Sequence, residues 1–330
     1  MRWSSPKLIA ALSTAGVLVA ACAHLRSTSP FNRLVPDQLA TPDSEFLDLC
    51  GLRLHLRKAG QGKPVMLLLH GFAASTFTWH DVFDRLAEIG TVIAIDRPGF
   101  GLTTRAENDS WYGANPFDHE AQADLVVALL DHFGIDRAVL IGHSAGGTVA
   151  TLAALRYPTR FSALALIAPA IYVRLPPPPW LKPWLKHRPM QWLVPAVTHA
   201  LARLDGPILR RAWHDPSRIT PEIRAAYRDP FHLRGWDDAM LALVRADRPL
   251  DLPSHLNELT QPTLVIAGDD DRIVPTKQSL RLAAELPHAE LVVIPDCGHI
   301  PQEERPEAFL QAIKRFVSQP AVMSSTPADE

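Results

Sequence analysis

Short, mostly apolar runs recur along this chain, and segments with a helical spacing of apolar positions separate them. Such runs are too short for helices and are typical of strands buried on both faces. They are Val65–Leu69, Thr91–Ile95, Ala138–Ile141, Ala163–Ile167, Pro262–Ala267 and Leu291–Ile294. Residues 125–133 instead carry apolar side chains one helical turn apart and end at Gly134. Strand and helix therefore alternate, which predicts a mostly parallel sheet with right-handed crossovers.

The alternation divides the chain into segments. A hairpin pattern opens a sheet domain, which we predict over residues 45–170 and 251–318. Residues 171–250 show no strand pattern, many prolines and five of the eight tryptophans, and we interpret them as an inserted helical cap. Residues 23–44 are expected to form a tether, and the polar residues 319–330 a disordered tail.

The first 22 residues have the pattern of a targeting segment. Arg2 and Lys7 give a basic start, and residues 8–21 form an apolar run without charge. The run is too short to span a bilayer comfortably and is typical of a signal-peptide core. It ends in Val-Ala-Ala-Cys, which resembles the lipobox at which bacterial lipoproteins are cleaved and acylated. We therefore expect lipidation of Cys22 and a membrane-anchored protein of the cell envelope. The alternatives are a plain signal peptide, giving a periplasmic or secreted protein, and an uncleaved anchor.

The composition argues against several classes of function. With 330 residues, 47% hydrophobic and 21% charged, the chain can bury a large core. Its formal net charge of −2 gives no indication of nucleic-acid binding. No Cys/His cluster has zinc spacing, no Gly-x-Gly-x-x-Gly follows a strand, and no Gly-x-x-x-x-Gly-Lys-Ser/Thr occurs. We predict no metal, no cofactor and no nucleic-acid partner; the sequence leaves the oligomeric state open.

One motif stands out for its chemistry. The sequence Gly-His-Ser-Ala-Gly at 142–146 follows the predicted strand Ala138–Ile141 and precedes a helical pattern at 148–155. A serine on such a strand-to-helix turn has strained backbone angles, so that its hydroxyl stands clear of the sheet. The flanking glycines leave room for the neighbouring strand and helix. The bare motif is a weak signal, but this context strengthens it, and we interpret Ser144 as a catalytic nucleophile.

Two later segments carry partners that a serine nucleophile needs. Serine reacts efficiently only when a base accepts its proton and a third group holds the base. Three aspartates at 269–271 follow one predicted strand, and His299 follows the next. The carboxyl ends of parallel strands share one edge of a sheet, so residues far apart in sequence can meet there.

These motifs give the chain a clear resemblance. From about residue 45 to 318 it resembles the α/β-hydrolase superfamily, in its capped branch of esterases, lipases and related hydrolases. Five segments carry the resemblance in order: HGF at 70–72, DRPGFG at 96–101, GHSAGG at 142–147, GDDDRIVP at 268–275 and CGHIPQEERP at 297–306. The resemblance implies an α/β-hydrolase fold, with a mostly parallel eight-stranded sheet flanked by helices and an inserted helical cap.

The resemblance also assigns catalytic roles. Ser144 would be the nucleophile, His299 the general base and acid, and Asp271 the group that orients the histidine. Asp271 is preferred because the family's acid stands three residues before the Val-Pro pair. Asp269 and Asp270 are interpreted as solvated turn carboxylates.

The oxyanion hole would consist of the backbone N–H groups of Phe72 and Ala145, aimed at the charge that develops on a carbonyl oxygen. Four neighbouring residues are interpreted as structural rather than catalytic: His70, Asp96, His143 and Cys297.

The predicted activity is that of a cofactor-free serine hydrolase that cleaves a hydrophobic carboxylic ester through an acyl-enzyme. Within the same fold the alternatives are a carbon–carbon bond hydrolase, an amidase and a haloperoxidase of the perhydrolase type. Carbon–carbon hydrolases of aromatic degradation typically continue the His-Gly pair with Ser-Gly-Pro-Gly, where this chain has Phe-Ala-Ala-Ser at 72–75. The alternative from another class is a non-catalytic ligand-binding protein of hydrolase fold, against which the intact triad argues.

Overall fold

An eight-stranded sheet lies at the centre of the computed structural model. The structure describes residues 34–104, 115–173 and 205–323, apart from 247 and 249. The strand order is β1-β2-β4-β3-β5-β6-β7-β8. The strands are β1 Glu45–Leu49, β2 Leu52–Ala59, β3 Val65–Leu69, β4 Thr91–Ile95, β5 Ala138–His143, β6 Phe161–Ile167, β7 Thr263–Gly268 and β8 Ala289–Ile294.

Most of the sheet is parallel, as the alternation of strands and helices predicted. Only the first two strands depart from this: β1 and β2 form an antiparallel hairpin, and β2 pairs antiparallel with β4. All other neighbouring strands are parallel. Strand β5 is buried at all of its positions because strands flank it on both sides and helices cover both faces.

Helices flank the sheet and follow most of its strands. They are α1 Phe83–Ala87, α2 His119–His132, α3 Ala145–Arg156, α4 Asp205–Ala212, α5 Pro221–Arg228, α6 Trp236–Ala246, α7 Thr276–Glu285, α8 Pro301–Glu304, α9 Pro306–Val317 and α10 Pro320–Met323. Short 3-10 turns lie at Pro36–Gln38, Thr76–Trp79, Pro158–Arg160, Pro216–Arg218, Asp229–His232 and Leu252–Glu258.

Two apolar layers form the core, one on each face of the sheet. In β3, Leu67 and Leu69 contribute to the layer that packs against α2 and α3, whereas Met66 and Leu68 contribute to the layer against α1 and α9. Successive side chains of a strand point to opposite faces. A strand covered on both faces therefore has to be apolar throughout, which accounts for the runs seen in the sequence.

The predicted cap lies between β6 and β7. Its described residues from 205 to 246 form α4, α5 and α6 together with two 3-10 turns, and they contain no strand. Residues 174–204, including three of the cap's five tryptophans, lie outside the described residues. The exact boundaries of the cap therefore stay a prediction.

Both predicted terminal segments differ from the structure at their inner ends. The predicted tether 23–44 is bound from Leu34 onward, because the N–H of Leu34 donates to His232 O (3.1 Å) and the N–H of Arg234 donates to Leu34 O (2.9 Å). The predicted disordered tail begins instead with α10, in which Val322 is buried among core residues. The composition indicated neither the attachment of Leu34 nor the helix α10. One pair of backbone hydrogen bonds and one buried valine produce no pattern in the sequence.

The predicted signal segment 1–22 lies outside the described residues. Among the helices that the structure does describe, none has the length and apolar character needed to cross a membrane.

A buried carboxyl group joins the cap to the sheet domain. Glu303 lies below the surface on α8, where its Oε1 accepts hydrogen bonds from Thr78 Oγ1 (2.7 Å) and from the hydroxyl of Tyr227 on α5. Its Oε2 has no hydrogen-bond partner within the described part of the chain. Burial raises the pKa of Glu303 to about 8, since water no longer solvates the charged form.

This contact predicts a pH dependence of stability. An acid whose pKa is higher in the folded than in the unfolded state stabilises the fold below its unfolded pKa. That stability is then lost as the pH rises through the folded pKa, which for Glu303 is about 8. At about 1.4 kcal/mol per pKa unit, the loss between pH 5 and 9 is on the order of a few kcal/mol. Glu303→Gln should flatten this decline, as chemical denaturation across that pH range would show.

The exposed carboxylate of Glu45 supplies the control. Glu45→Gln should keep the wild-type pH dependence. An unchanged decline in Glu303→Gln would mean that Glu303 is ionised throughout this range.

Candidate active site

Ser144 occupies the sharp turn between β5 and α3 that the sequence predicted. Its backbone angles of φ 53° and ψ −117° lie outside the common regions for a residue with a side chain. Four hydrogen bonds hold the turn: Ser144 N donates to Ile167 O (2.8 Å), and Ser144 O accepts from Gly147 N (2.9 Å), Ala170 N (3.1 Å) and Thr148 N (3.4 Å). Strand β6, the loop after it and the first turn of α3 thus keep the strained conformation in place.

Glycines allow α3 to approach the sheet closely at this turn. A Cβ atom on Gly142 would lie 2.6 Å from Gly146 O, and one on Gly146 would lie 2.3 Å from Leu69 O. Both separations are far below contact distance. Any side chain at these positions would therefore push the helix away from the strands and displace Ser144.

Asp271 and His299 lie together at the same edge of the sheet, as the resemblance implied. His299 Nδ1 is 2.7 Å from Asp271 Oδ2, and both side chains are buried. The other oxygen, Oδ1, accepts hydrogen bonds from the N–H groups of Ile273 and Val274, both at 2.8 Å. The carboxylate is thus fixed on both sides, and a proton on His299 Nδ1 leaves Nε2 available as a base.

The two preceding aspartates have other partners. Asp269 Oδ1 accepts a hydrogen bond from Cys297 N (3.1 Å), and Asp270 Oδ2 lies 2.9 Å from His214 Nδ1 and also binds Arg272. Both are tied to neighbouring loops, so the interpretation as merely solvated carboxylates was incomplete. It is Asp271 that pairs with His299.

Both predicted oxyanion residues adjoin the Ser144 turn. Phe72 follows Gly71, at which a Cβ would lie 3.1 Å from Ser144 Cβ, and Ala145 directly follows Ser144. Within the described residues, neither the N–H of Phe72 nor that of Ala145 donates a hydrogen bond. Two unpaired backbone donors next to a nucleophile are the feature that stabilises an oxyanion.

His70 and Arg97 hold the loop that carries Phe72. His70 Nε2 accepts a hydrogen bond from Arg97 N (2.9 Å), and Arg97 Nη1 donates to His70 O (3.0 Å). Burial, reinforced by the charge of Arg97, lowers the pKa of His70 to about 4, so the ring is neutral at pH 7. The prediction that His70 fixes this loop agrees with these contacts.

Asp96 is structural, as predicted. Its carboxylate lies 2.6 Å from His55 Nδ1 and accepts hydrogen bonds from Thr76 N (2.6 Å) and Leu102 N (2.6 Å). It thereby joins the loops that follow β3 and β4 to strand β2.

His143 has a more specific role than the packing that the sequence suggested. Its Nε2 is 2.8 Å from His299 O and donates to it, so the ring supports the backbone of the proposed base. Burial and the neighbouring His299 lower the pKa of His143 well below its usual value, which keeps the ring neutral. No pattern in the sequence signals this contact, because it joins residues 156 positions apart.

Cys297 is fully buried, and burial raises the pKa of its thiol. Its interpretation as a packing residue agrees with this environment, since the thiolate needed for reactivity is disfavoured. In the described ranges, no group of three or more His, Cys, Asp or Glu side chains is placed to hold a metal ion.

The assembled site combines a strained serine, a histidine held by a fixed carboxylate, and two free backbone donors. Such an arrangement is suited to nucleophilic attack on a carbonyl carbon. Phe72 is 47% exposed, and its ring packs edge-on against that of Phe100 at a centroid distance of 5.4 Å. An apolar surface therefore lies beside the unpaired N–H groups.

Comparison with known proteins gives matches over most of the chain. The model of the alpha/beta hydrolase family matches residues 66–312. An uncharacterized hydrolase, YugF of Bacillus subtilis (strain 168), is 31% identical over 270 residues, which cover 78% of this chain and 90% of that protein. The 2-hydroxy-6-oxo-6-phenylhexa-2,4-dienoate hydrolase of Burkholderia cepacia is 31% identical over 288 residues, covering 82% and 93%.

A solved structure shares the architecture. A thermophilic esterase from Thermogutta terrifontis superposes with a TM-score of 0.68 at 28% identity, over 85% of this chain and 99% of the esterase.

Proposed function

This chain belongs to the alpha/beta hydrolase family, and from that premise we propose that it is a serine hydrolase in which Ser144 attacks a carbonyl carbon. The observation that carries the proposal is the 2.7 Å contact between His299 Nδ1 and Asp271 Oδ2, at the same edge of the sheet as the strained Ser144 turn. The pair supplies a base that is oriented and electrostatically supported when it takes up a proton.

The reaction proceeds in two halves. Ser144 Oγ forms a bond to the carbonyl carbon while His299 Nε2 accepts the hydroxyl proton. The carbonyl oxygen becomes an oxyanion and accepts hydrogen bonds from the N–H groups of Phe72 and Ala145. His299 then gives the proton to the leaving group, which leaves an acyl-enzyme. In the second half water repeats the attack: it gives a proton to His299, and this proton returns to Ser144 as the acid product departs. No step in this scheme uses a cofactor.

The comparisons favour a carbon–carbon bond as the one that breaks. The substrate in the name of the Burkholderia cepacia relative is a 2-hydroxy-6-oxo-dienoate, which contains no ester group. Its hydrolysis must therefore cleave a carbon–carbon bond next to the ketone. This relative supports the carbon–carbon alternative better than it supports the ester that the sequence suggested first. We therefore propose 2-hydroxy-6-oxo-dienoates as the first substrate class for this chain.

A carboxylic ester is the second candidate. It is supported by the similarity to the Thermogutta esterase and by residues 72–75, Phe-Ala-Ala-Ser, where carbon–carbon hydrolases typically have Ser-Gly-Pro-Gly. The exposed ring of Phe72 would place an apolar group beside the reacting carbonyl in either case. Both reactions need the same nucleophile and oxyanion donors, and they differ in whether carbon or oxygen receives the proton as the bond breaks.

The proposed triad predicts the effect of three substitutions. Ser144→Ala and His299→Ala should each lower kcat by on the order of 10⁵-fold or more, because either change removes the nucleophile or its base. Asp271→Asn should cost about 10⁴-fold, since the remaining groups still act. Steady-state kinetics on the fastest substrate found, together with labelling of Ser144 by a fluorophosphonate probe, would measure these effects.

Exposed residues of the same types provide controls. Ser254→Ala and His255→Ala alter solvent-facing positions on a 3-10 turn and should leave kcat within twofold of the wild type. Retention of most activity or label in Ser144→Ala would disprove the mechanism. The absence of turnover with every substrate would favour the ligand-binding alternative.

Parallel assays distinguish cleavage of a carbon–carbon bond from cleavage of an ester bond. The enzyme lacking residues 1–22 would be assayed with 2-hydroxy-6-oxo-6-phenylhexa-2,4-dienoate and with 4-nitrophenyl esters of increasing acyl length. We expect the dienoate to give the higher kcat/KM, with ester hydrolysis as a slower activity at the same serine. Ester turnover without cleavage of the dienoate would overturn this order and establish the second candidate.

We also propose that a lipid on Cys22 anchors the protein in the cell envelope; the proposal rests on the signal pattern alone. In a bacterium that processes lipoproteins, the wild-type protein should incorporate labelled palmitate and sediment with membranes. Cys22→Ser should abolish the label, whereas Cys50→Ser, at an exposed cysteine of the sheet domain, should keep it. Maturation of the wild type without acylation would contradict the anchor.

A further inference from the structure

A buried carboxylate next to the His299 loop has no part in the reaction described above. Glu304 is the last residue of α8 and only 2% of its surface is exposed. Its Oε1 accepts a hydrogen bond from Gly298 N (2.8 Å), and its Oε2 accepts one from His214 N (2.7 Å). One side chain thus links Gly298, the residue that precedes His299, to His214, which lies 84 positions earlier in the sequence.

That earlier segment, Ala212–His214, leads out of the cap helix α4 and contacts both loops of the proposed acid–base pair. Ala212 O accepts a hydrogen bond from His299 N at 2.6 Å. His214 Nδ1 lies 2.9 Å from Asp270 Oδ2, beside Asp271. The segment therefore touches the histidine through its backbone and the acid through its neighbour.

The packing leaves little freedom for this arrangement. A Cβ atom on Gly298 would lie 2.3 Å from Ala212 O and 2.8 Å from Glu304 Oε1. Trp213 is buried in a cluster with Leu209 and Ile300, the residue that follows His299. Because the backbone is in contact on both sides of His299, a change at Glu304 has to move the histidine or leave buried N–H groups unpaired.

Ionisation of Glu304 reflects the same contacts. Burial raises the pKa of Glu304, and the N–H groups of His214, Gly298 and Ile300 oppose this rise. Backbone donors on both sides of His299 therefore favour the charged carboxylate, which can accept at both oxygens.

We propose that Glu304 is a positioning residue, which sets the orientation of His299 by fixing the backbone before it and by holding the cap segment Ala212–His214 against the histidine loop. The proposal rests on the proposed function, since His299 is the base of that mechanism. It adds a connection between the cap and the base, because the segment leaving α4 and the residue before His299 share one carboxylate.

Glu304→Gln tests the proposal in the otherwise intact protein. A glutamine has nearly the same shape, but its amide has one oxygen, and its NH₂ group would face one of the two backbone N–H groups. We expect kcat to fall about 10- to 100-fold, since displacements on the order of 1 Å have such effects, with KM changed less than threefold. In a plot of kcat/KM against pH, the acid limb should move to lower pH. The reason is that a loosened His299–Asp271 pair stabilises the imidazolium of His299 less.

Glu304→Asp separates position from charge. It keeps the negative charge but is one methylene shorter, so the positioning role predicts a loss of kcat here too. Wild-type kcat in Glu304→Asp would show that only the charge matters and would overturn the proposal.

Glu303→Gln is the matched control, because the adjacent buried carboxyl group contacts Thr78 and Tyr227 rather than the histidine loop. It should keep kcat within twofold of the wild type and leave the acid limb of the pH profile of kcat/KM unchanged. All rates would be expressed per folded molecule, as measured by circular dichroism. Equal losses in Glu303→Gln and Glu304→Gln, or failure of both Glu304 variants to fold, would show a general structural role and contradict the proposal.

Failure of the Glu304 proposal can be distinguished from failure of the proposed function. If Ser144→Ala stays active, the serine mechanism fails. If Ser144→Ala is inactive and Glu304→Gln keeps the wild-type kcat and pH profile, only the role of Glu304 is overturned.

Discussion

The close contact between β5 and α3 is the constraint on which the rest of the site depends. The helix can start directly after Ser144 only because Gly142 and Gly146 leave no side chain between helix and sheet. This contact forces the left-handed backbone of Ser144, and hydrogen bonds from the neighbouring β6 and the loop after it hold that backbone in place. The serine is thereby fixed by main-chain geometry, and every other group of the site is placed with respect to it.

Buried polar side chains then fix the loops that meet at this edge. Asp96 binds the loops after β3 and β4, Arg97 binds the loop of Phe72, Asp271 binds its own loop and His299, and Glu304 binds the loop of His299. An unpaired buried N–H costs about 1–3 kcal/mol, so each of these groups makes one loop conformation preferable to its competitors. Irregular loops acquire in this way the precision that catalysis requires.

The similar proteins are named for different reactions, one as a dienoate hydrolase and one as an esterase, which is consistent with the two substrate classes considered for this chain. Attack of a serine on a carbonyl carbon is common to the cleavage of an ester and of a carbon–carbon bond beside a ketone. The two reactions differ in the leaving group, and thus in the surfaces that surround it. In this chain the surface next to the proposed oxyanion donors is apolar, with the Phe72 and Phe100 rings in edge-to-face contact. Phe231, Trp236 and Met240 of the cap pack in one cluster with Phe100.

The sequence by itself determined the parts of the structure that have a local pattern. Doubly buried strands have to be apolar throughout, so β3 through β7 were recognisable, and Ser144 was recognisable from its glycines and its place between strand and helix. The order of serine, aspartate and histidine then placed the site at one edge of the sheet.

Only the tertiary structure decided what depends on contacts between distant residues. It set His143 against the carbonyl of His299, bound Leu34 to the cap, and buried Glu303 and Glu304 between cap and core. Each of these is a single polar or backbone contact whose partner lies far away along the chain, and such a contact imposes no periodicity on the residues around it.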